Sequence, residues 1–227
     1  MSSASNTRPY ESAQRAEAAR ETRRRILRVA ESELLAVGYH ATSVATLAKA
    51  AGVSPQTIYN SVGSKAQVVK AVYDVLLAGD DEQVAMSDRP EFRAVLNQRS
   101  IAATLRSYAG LTRLITSRVG AVVGVLIVEG AGGDTGLREF LTTVDRERRI
   151  GNEQVVKVIV ERFGLPDGLP FDQATDQVWA LTAPELADRL VRRRGWSLDD
   201  FEQWLAAALI GGFSSPRAAK RPDPSVP

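Results

Sequence analysis

Apolar residues recur at steps of three and four along almost the whole chain, and no stretch of useful length alternates with a period of two. This pattern predicts an all-α fold. The first clear stripe contains Ile26, Ala30 and Leu34, and Gly38 follows it as a helix stop. We therefore expect the first helix over residues 14–37.

The helical pattern is interrupted several times between residues 43 and 72. A second helix is predicted to begin after the favourable cap Thr42 and to end at Gly52, where glycine adopts a left-handed backbone most easily. Ser54 and Pro55 then begin a short third helix, because serine is a preferred cap and proline fits the first helical position.

The third helix is predicted to point Ile58 inward and to end at Gly63. Ser64 and Gln67 form an S-x-x-Q capping box that begins a fourth helix, which ends near Gly79. A helix, a tight glycine turn and a short helix with an exposed polar start are typical of a helix-turn-helix. In that motif the second helix enters the major groove of DNA.

The stretch from Gly38 to Val72 resembles the N-terminal domain of the TetR family of transcriptional regulators. It reads GYHATSVATLAKAAGVSPQTIYNSVGSKAQVVKAV. The resemblance extends over about residues 20–76, and the matching residues are Gly38, Tyr39, Thr42, Ser43, Ala51, Gly52, Val53, Ser54, Thr57, Ile58, Tyr59 and Lys65. Two positions depart from the family pattern: Val62 stands where phenylalanine is usual, and Ala66 stands where an acidic residue is common.

The resemblance implies roles for several polar residues in DNA binding. Thr42 or Ser43 would contact a phosphate at the start of the second helix, and Tyr59 and Lys65 would do so across the groove. The third helix would be the recognition helix of the motif. Residues at its exposed start would contact base edges, namely Ser54, Gln56, Thr57 and Asn60. Capping without any DNA contact is the alternative for the hydroxyl residues, and both roles are compatible.

The rest of the chain predicts a larger helical bundle. Its helices are expected over residues 90–104, 106–129, 136–163, 171–181, 184–195 and 198–211. The resemblance implies that this bundle binds a small-molecule ligand and forms a dimer. The expected organisation is a disordered arm over 1–13, the DNA-binding domain over 14–80, the bundle over 81–213 and a disordered tail over 214–227.

Some bundle residues are candidates for an interface or a ligand pocket. Dimer contact or ordinary core would equally explain the apolar residues of the last helices and the tryptophans, namely Leu205, Ala206, Ala208, Leu209, Phe213, Trp179, Trp196 and Trp204. A surface position is the simpler interpretation of the polar candidates for a pocket, which are Tyr108, Arg113, Arg118, Glu129, Arg146, Arg149 and Asn152.

The amino-acid composition excludes several kinds of catalytic and metal-binding site. The chain has no cysteine and one histidine, His40, which excludes thiolate sites and sites with several histidine ligands. No catalytic residue, cofactor or metal is expected, and an enzyme is disfavoured. The apolar run Val119–Val128 is shorter than the roughly 18 residues that cross a bilayer. We therefore expect no membrane partner, and we expect the protein to lie in the cytoplasm.

A basic cluster precedes the helix-turn-helix, and it consists of Arg20, Arg23, Arg24, Arg25 and Arg28. Such a cluster either faces DNA phosphates or forms a solvated helix face paired with nearby glutamates.

The expected function is a homodimeric repressor that binds a palindromic double-stranded DNA operator and is released by a small-molecule effector. The alternative is a helical small-molecule-binding protein with a vestigial DNA-binding head. The intact Tyr59, Lys65 and arginine cluster argue against that alternative.

Overall fold

The structure is a computed structural model that describes residues 7–82, 84–130 and 133–214. These residues form helices and turns and contain no strand, which confirms the predicted all-α fold. The α-helices are α1 (Thr7–Ala41), α2 (Val44–Ala51), α3 (Pro55–Ser61), α4 (Lys65–Ala78), α5 (Pro90–Leu96), α6 (Ile101–Gly130), α7 (Thr135–Phe163), α8 (Phe171–Leu181), α9 (Pro184–Ala187) and α10 (Leu198–Ser214). A 3-10 helix, Met86–Asp88, precedes α5, and a π-helical turn, Asp188–Arg193, follows α9.

The chain divides into two compact units. The head unit contains residues 1–82 and 121–141, and the bundle unit contains residues 83–120 and 142–227. Residues 121–141, which the sequence pattern places in the second domain, therefore group with the N-terminal helices. The reason lies in apolar packing, because Phe140 meets the ring of Tyr73 edge to face at 5.7 Å.

The core of the head unit is formed by apolar residues that face inward from its helices. Those with 0–5% exposure on α1 to α4 include Ile26, Leu27, Ala30, Leu34, Tyr39, Leu47, Ala48, Ala51, Ile58, Val68, Val69, Val72 and Tyr73. Their spacing of three and four residues is the spacing from which the helices were predicted. Burial of this stripe stabilises four helices, of which the two shortest have only eight and seven residues.

Helix α1 differs from its predicted span at both ends. It begins at Thr7, so residues 7–13, predicted as part of a disordered arm, continue the helix. Pro9 lies in the first turn, where proline is tolerated, and Glu11 and Ala13 are good helix formers, so the sequence is compatible with the extension. Gly38 has φ 83° and breaks the regular helix as expected, and one more turn follows it to Ala41. Residues 1–6 and 215–227 lie outside the described residues.

The described residues of the bundle unit share an apolar core, to which all helices from α5 to α10 contribute. Leu205, Leu209 and Phe213 of α10 are at most 4% exposed and belong to this core. Trp204 packs against the same core and stacks on Phe201. The structure thus favours the intramolecular interpretation of these residues over a role in dimer contact.

Two breaks in the bundle unit fall at positions other than those predicted. The helix expected to run to residue 104 stops at Leu96, and α6 begins at Ile101 after Ser100, whose Oγ accepts from Ala103 N at 3.2 Å. The last turns of the segment 184–195 widen into the π-helical turn.

Helix α6 is long and apolar enough to cross a membrane by length and composition, a test that core helices of soluble proteins also pass. Seven of its apolar side chains are buried inside the protein: Leu105, Ala109, Leu111, Val119, Val122, Val123 and Leu126.

Candidate nucleic-acid interface

Helix α2 begins at a capping box formed by Ser43 and Thr46. Ser43 Oγ accepts from Thr46 N at 3.1 Å, and Ser43 N donates to Thr46 Oγ1 at 2.9 Å. The cap is therefore Ser43 and not the predicted Thr42. Thr42 is 2% exposed, and its hydroxyl donates to Gly38 O at 2.7 Å. The Thr42 side chain closes the corner between α1 and α2, whereas Ser43 is partly exposed.

The turn between α2 and α3 depends on Gly52. This residue has φ 63° and ψ 40°, a left-handed conformation that glycine adopts without a Cβ penalty. Its N–H bonds to carbonyls of the last turn of α2, and Val53 N donates to Ala48 O at 3.0 Å. The predicted role of Gly52 as the end of α2 is confirmed.

Helix α3 begins as the sequence predicts. Ser54 Oγ accepts from Thr57 N at 3.0 Å, and Pro55 occupies the first helical position. Ser54 Oγ and Thr57 Oγ1 also share a hydrogen bond of 2.8 Å. Both hydroxyls therefore serve the cap, while Ser54 remains exposed and Thr57 partly exposed.

The two amide side chains predicted to read bases are hydrogen-bonded to each other. Gln56 Nε2 donates to Asn60 Oδ1 at 2.8 Å across one turn of α3, and both residues are exposed. Gln56 Oε1 and Asn60 Nδ2 remain at the ends of this pair. The structure thus brings an acceptor and a donor onto one polar surface of the helix.

Neighbouring residues of α3 divide it into a core side and a solvent side. Ile58 is 0% exposed, while Tyr59 is 52% exposed, which is unusual for a large aromatic residue. Among the described residues the Tyr59 hydroxyl has no hydrogen-bond partner. It is therefore available to a phosphate.

The corner before α4 combines a strained glycine with a second capping box. Gly63 has φ 124°, and a Cβ there would lie 2.7 Å from Gln67 Cδ. Ser64 N donates to Gln67 Oε1 at 2.7 Å, and Gln67 N donates to Ser64 Oγ at 3.4 Å. The predicted S-x-x-Q box is confirmed, and it places Lys65 at the first position of α4.

Lys65 is only partly exposed, and its ammonium group covers the ring of Tyr39. The Nζ atom lies 3.9 Å from the ring centroid. Burial lowers the pKa of Lys65, and the nearby carboxylates of Asp134 and Glu129 oppose that shift. The charge predicted to meet a phosphate thus rests beside an aromatic ring and two carboxylates.

Those two carboxylates come from the segment 121–141, which sequence reasoning did not include in the head. Glu129 Oε2 accepts from His40 N at 2.8 Å. Asp134 Oδ1 accepts from Tyr39 OH at 3.3 Å and from Leu137 N at 2.8 Å. The Leu137 amide is the main cause of the lowered pKa of Asp134.

Three of the five arginines in the basic cluster on α1 form ion pairs with nearby carboxylates. Arg20 pairs with Glu17 at 2.8 Å, Arg24 with Asp81 at 2.6 Å, and Arg28 with Glu21 at 3.0 Å. This result favours the solvated-face interpretation for these three arginines. Arg25 is exposed and makes no ion pair with the residues described.

Arg23, the fifth member of the cluster, has a role that sequence reasoning missed. Its Nη1 donates to Ser61 O at 2.9 Å, at the last residue of α3. A cation at a helix C-terminus satisfies an unpaired carbonyl and complements the helix dipole. Arg23 therefore fixes the end of the recognition helix, and the only sequence signal for it was the basic run.

A helix-turn-helix with a capped, polar second helix is typical of the class of DNA-binding proteins that place this helix in the major groove. Residues 26–72 match the family described as bacterial regulatory proteins, tetR family. The predicted resemblance to TetR-family transcriptional regulators is confirmed over this segment.

A transcriptional regulator is similar to this chain over most of its length. The HTH-type transcriptional regulator YdeS of Bacillus subtilis (strain 168), whose own function is uncharacterised, is 25% identical over 178 residues, which are 75% of this chain and 84% of that protein.

Two solved structures share the fold. A protein of Syntrophomonas wolfei assigned to the TetR family has a TM-score of 0.70 at 12% identity, covering 88% of this chain and 99% of its own. The regulator FadR of Bacillus subtilis, solved in complex with stearoyl-CoA, has a TM-score of 0.64 at 14% identity, covering 83% and 97%.

Proposed function

We propose that the chain is a homodimeric repressor that binds a palindromic DNA operator and is released by a small-molecule effector in the cytoplasm. The observation that carries the proposal is the hydrogen-bonded pair of Gln56 and Asn60 on the exposed start of α3. An amide in a major groove pairs with adenine through one donor and one acceptor. The two residues together offer such a combination at the outer ends of their hydrogen-bonded pair.

Phosphate contacts complete the proposed interface. Ser43, Tyr59 and Lys65 supply them, since all three have polar groups at least partly exposed. Thr42 contributes indirectly, by closing the corner that positions Ser43, because its hydroxyl donates to Gly38 O and its N–H donates to Tyr39 O. Ser54 and Thr57 keep their caps and add base contacts where their hydroxyls remain accessible.

The bundle unit is proposed to bind the effector and to form the dimer. Support comes from FadR of Bacillus subtilis, which shares this fold and was solved with stearoyl-CoA. Release then requires two dimer states with different spacing of the α3 helices. A ligand that shifts such an equilibrium from 1:99 to 99:1 must prefer one state by about 5.5 kcal/mol.

A non-enzymatic role agrees with the relatives, which are transcriptional regulators. The vestigial-head alternative is disfavoured because every cap that shapes the reading surface is intact, at Ser43, Ser54 and Ser64. A head without a DNA-binding role would not need Tyr59 to stay exposed.

Selection of bound sequences from a random pool of double-stranded DNA by the purified full chain tests the proposal. A dimer places its recognition helices about 34–36 Å apart, so the selected sequences should contain an inverted repeat with that spacing. Footprinting on the selected DNA should show two protected half-sites. Enrichment of no sequence, or protection of one asymmetric half-site at saturating protein, contradicts the proposal.

A further inference from the structure

A buried polar cluster lies inside the apolar core of the bundle unit. It consists of Tyr108 on α6, Asn152 on α7 and Thr182 directly after α8, with exposures of 8%, 1% and 9%. Tyr108 belongs to the same core as Leu105 and Val155, both 0% exposed. In such surroundings each polar atom is expected to have a hydrogen-bond partner, because an unpaired buried group destabilises the fold.

The hydroxyl of Tyr108 fixes the orientation of the Asn152 amide. Tyr108 OH donates to Asn152 Oδ1 at 2.5 Å, and Thr182 Oγ1 lies 3.3 Å from the same oxygen. Burial raises the pKa of Tyr108 to about 12, so the phenol keeps its proton and acts as a donor. Within the described part of the chain, Asn152 Oδ1 is the acceptor for the Tyr108 hydroxyl. The amide atom that faces Tyr108 is therefore the oxygen, and Nδ2 lies on the other side.

This orientation leaves the other end of the amide without a partner. Asn152 Nδ2 is buried and makes no hydrogen bond to any described residue. Its two N–H hydrogens are therefore buried without an acceptor among the described residues. Donors of this kind require an oxygen acceptor from a bound molecule or a water.

An arginine that is paired with a carboxylate lies beside the cluster. Arg148 precedes Asn152 by one turn of α7, and its side chain is 17% exposed. Its Nη2 donates to Trp179 O at 3.0 Å and lies 3.5 Å from Thr182 Oγ1, while Nη1 bonds to Asp145 at 2.9 Å. The guanidinium thus shares Thr182 as a neighbour with the Asn152 amide, and Asp145 balances its charge.

We propose that Asn152 Nδ2 anchors an apolar small molecule through a carbonyl or carboxylate oxygen. The proposal that this molecule is the regulatory effector rests on the proposed function, whereas the binding site itself does not. The apolar core around Asn152 selects an apolar body, and the unpaired donors select an acceptor. The N–H donors of Asn152 favour a carboxylate, which is the stronger acceptor, over a neutral oxygen, and they reject an ammonium head group, which has no acceptor.

Calorimetric titration of the full chain with three octyl compounds tests the anchor. Octanoate, octanamide and octylamine share one chain and differ in the head group. Octanoate should bind most tightly, octanamide next, and octylamine at least about tenfold more weakly than octanoate, the ratio expected for one charge-assisted hydrogen bond. Asn152→Leu should lose at least about tenfold in octanoate affinity. Gln173→Leu, at an exposed amide on α8, is the matched control and should bind as the wild type does.

A second variant separates the anchor from a structural role. Asn152→Leu leaves the Tyr108 hydroxyl unpaired, so Tyr108→Phe is combined with it. Replacing both partners by apolar groups is nearly neutral for stability. The double variant should therefore melt at or above the wild-type temperature and still fail to prefer octanoate over octylamine. A large fall in its melting temperature assigns the cluster to fold stability and overturns the proposal.

Other results also overturn it: no binding of any of the three compounds, or equal octanoate affinity in the wild type and in Asn152→Leu. The titration contains no DNA, so its failure is distinguishable from failure of the proposed function. Octanoate binding through Asn152 by a chain that selects no operator keeps the site and rejects the regulator. Operator selection without octanoate binding keeps the regulator and rejects the site.

Discussion

Lys65 Nζ lies 3.9 Å from the ring centroid of Tyr39, so the first residue of α4 covers the aromatic ring that follows the kink in α1. Tyr39 is 4% exposed, and its hydroxyl is held by Asp134. These contacts hold the Lys65 ammonium group in place on the head unit in the absence of DNA. A cation–π contact at a partly exposed site contributes about 0.5–1 kcal/mol, which a phosphate contact can replace.

Lys65→Ala should weaken binding to all DNA sequences alike, because a phosphate contact positions the protein without reading bases. The slope of log affinity against log salt should flatten by about one for each lysine removed. Melting temperature should change little, since the lost contact is small. Lys157→Ala, at an exposed position of α7, is the control and should leave both slope and affinity unchanged. An altered base preference in Lys65→Ala would show that the residue is not a phosphate ligand.

Arg23→Ala should destabilise the head more than Arg20→Ala does, although the two arginines lie one turn apart on α1. Arg23 donates to the last carbonyl of α3 at 2.9 Å in a partly buried position, and such a bond is worth about 1.5–3 kcal/mol. Arg20 pairs with Glu17 at the surface, with 63% and 56% of the side chains exposed, a contact worth about 0–1 kcal/mol. Urea unfolding of both variants measures the difference, and equal effects would remove Arg23 from its proposed role.

Gly63→Ala should lower stability by at least about 1 kcal/mol, because the backbone at φ 124° disfavours any Cβ. The new methyl group would also displace the Gln67 side chain from its capping box with Ser64. Gly151→Ala is the matched control, since a Cβ there meets no atom within 4 Å and the residue lies inside α7. That change should stabilise the protein by about 0.5–1 kcal/mol. Thermal unfolding of the two variants should therefore move in opposite directions.

The parts of the head that the sequence predicted are those set by neighbours within a few residues. The caps Ser54 and Ser64 and the stop at Gly52 depend on hydrogen bonds across three or four positions, and the structure contains all of them. The pairing of Gln56 with Asn60 spans one helical turn and was accessible to the same reasoning. The choice of Ser43 over Thr42 was not, because both residues are good caps and the packing of Thr42 on Gly38 decided it.

Contacts between distant residues could not be predicted, because no local pattern encodes them. Arg23 meets Ser61, His40 meets Glu129 and Tyr39 meets Asp134 at separations of 38, 89 and 95 residues. The same limit applied to α10, where one apolar stripe fits a dimer interface and an internal core equally well. For Asn152, the sequence indicated a surface residue, and only the packed core revealed a buried amide with an unpaired donor.

The hydrogen bond between Gln56 and Asn60 makes a prediction about base reading that neither residue makes alone. Both side chains are exposed, and an exposed amide pair at this spacing stabilises a helix by about 0.2–0.5 kcal/mol. Gln56→Ala should therefore leave the melting temperature nearly unchanged. Operator affinity should fall by about 1–3 kcal/mol, with relaxed selectivity at one base pair in each half-site.

Asn60→Ala should affect the same base pair, because Asn60 Oδ1 holds the Gln56 amide in its orientation. The double variant should then lose less affinity than the sum of the two single losses, since the side chains act as a unit. Competition binding on operators randomised at single positions, at fixed salt, measures all three variants, with Gln173→Ala on α8 as the control. Full additivity would show that the two side chains act independently. An unchanged base-preference profile in Gln56→Ala would assign base reading to Thr57 or Asn60 instead.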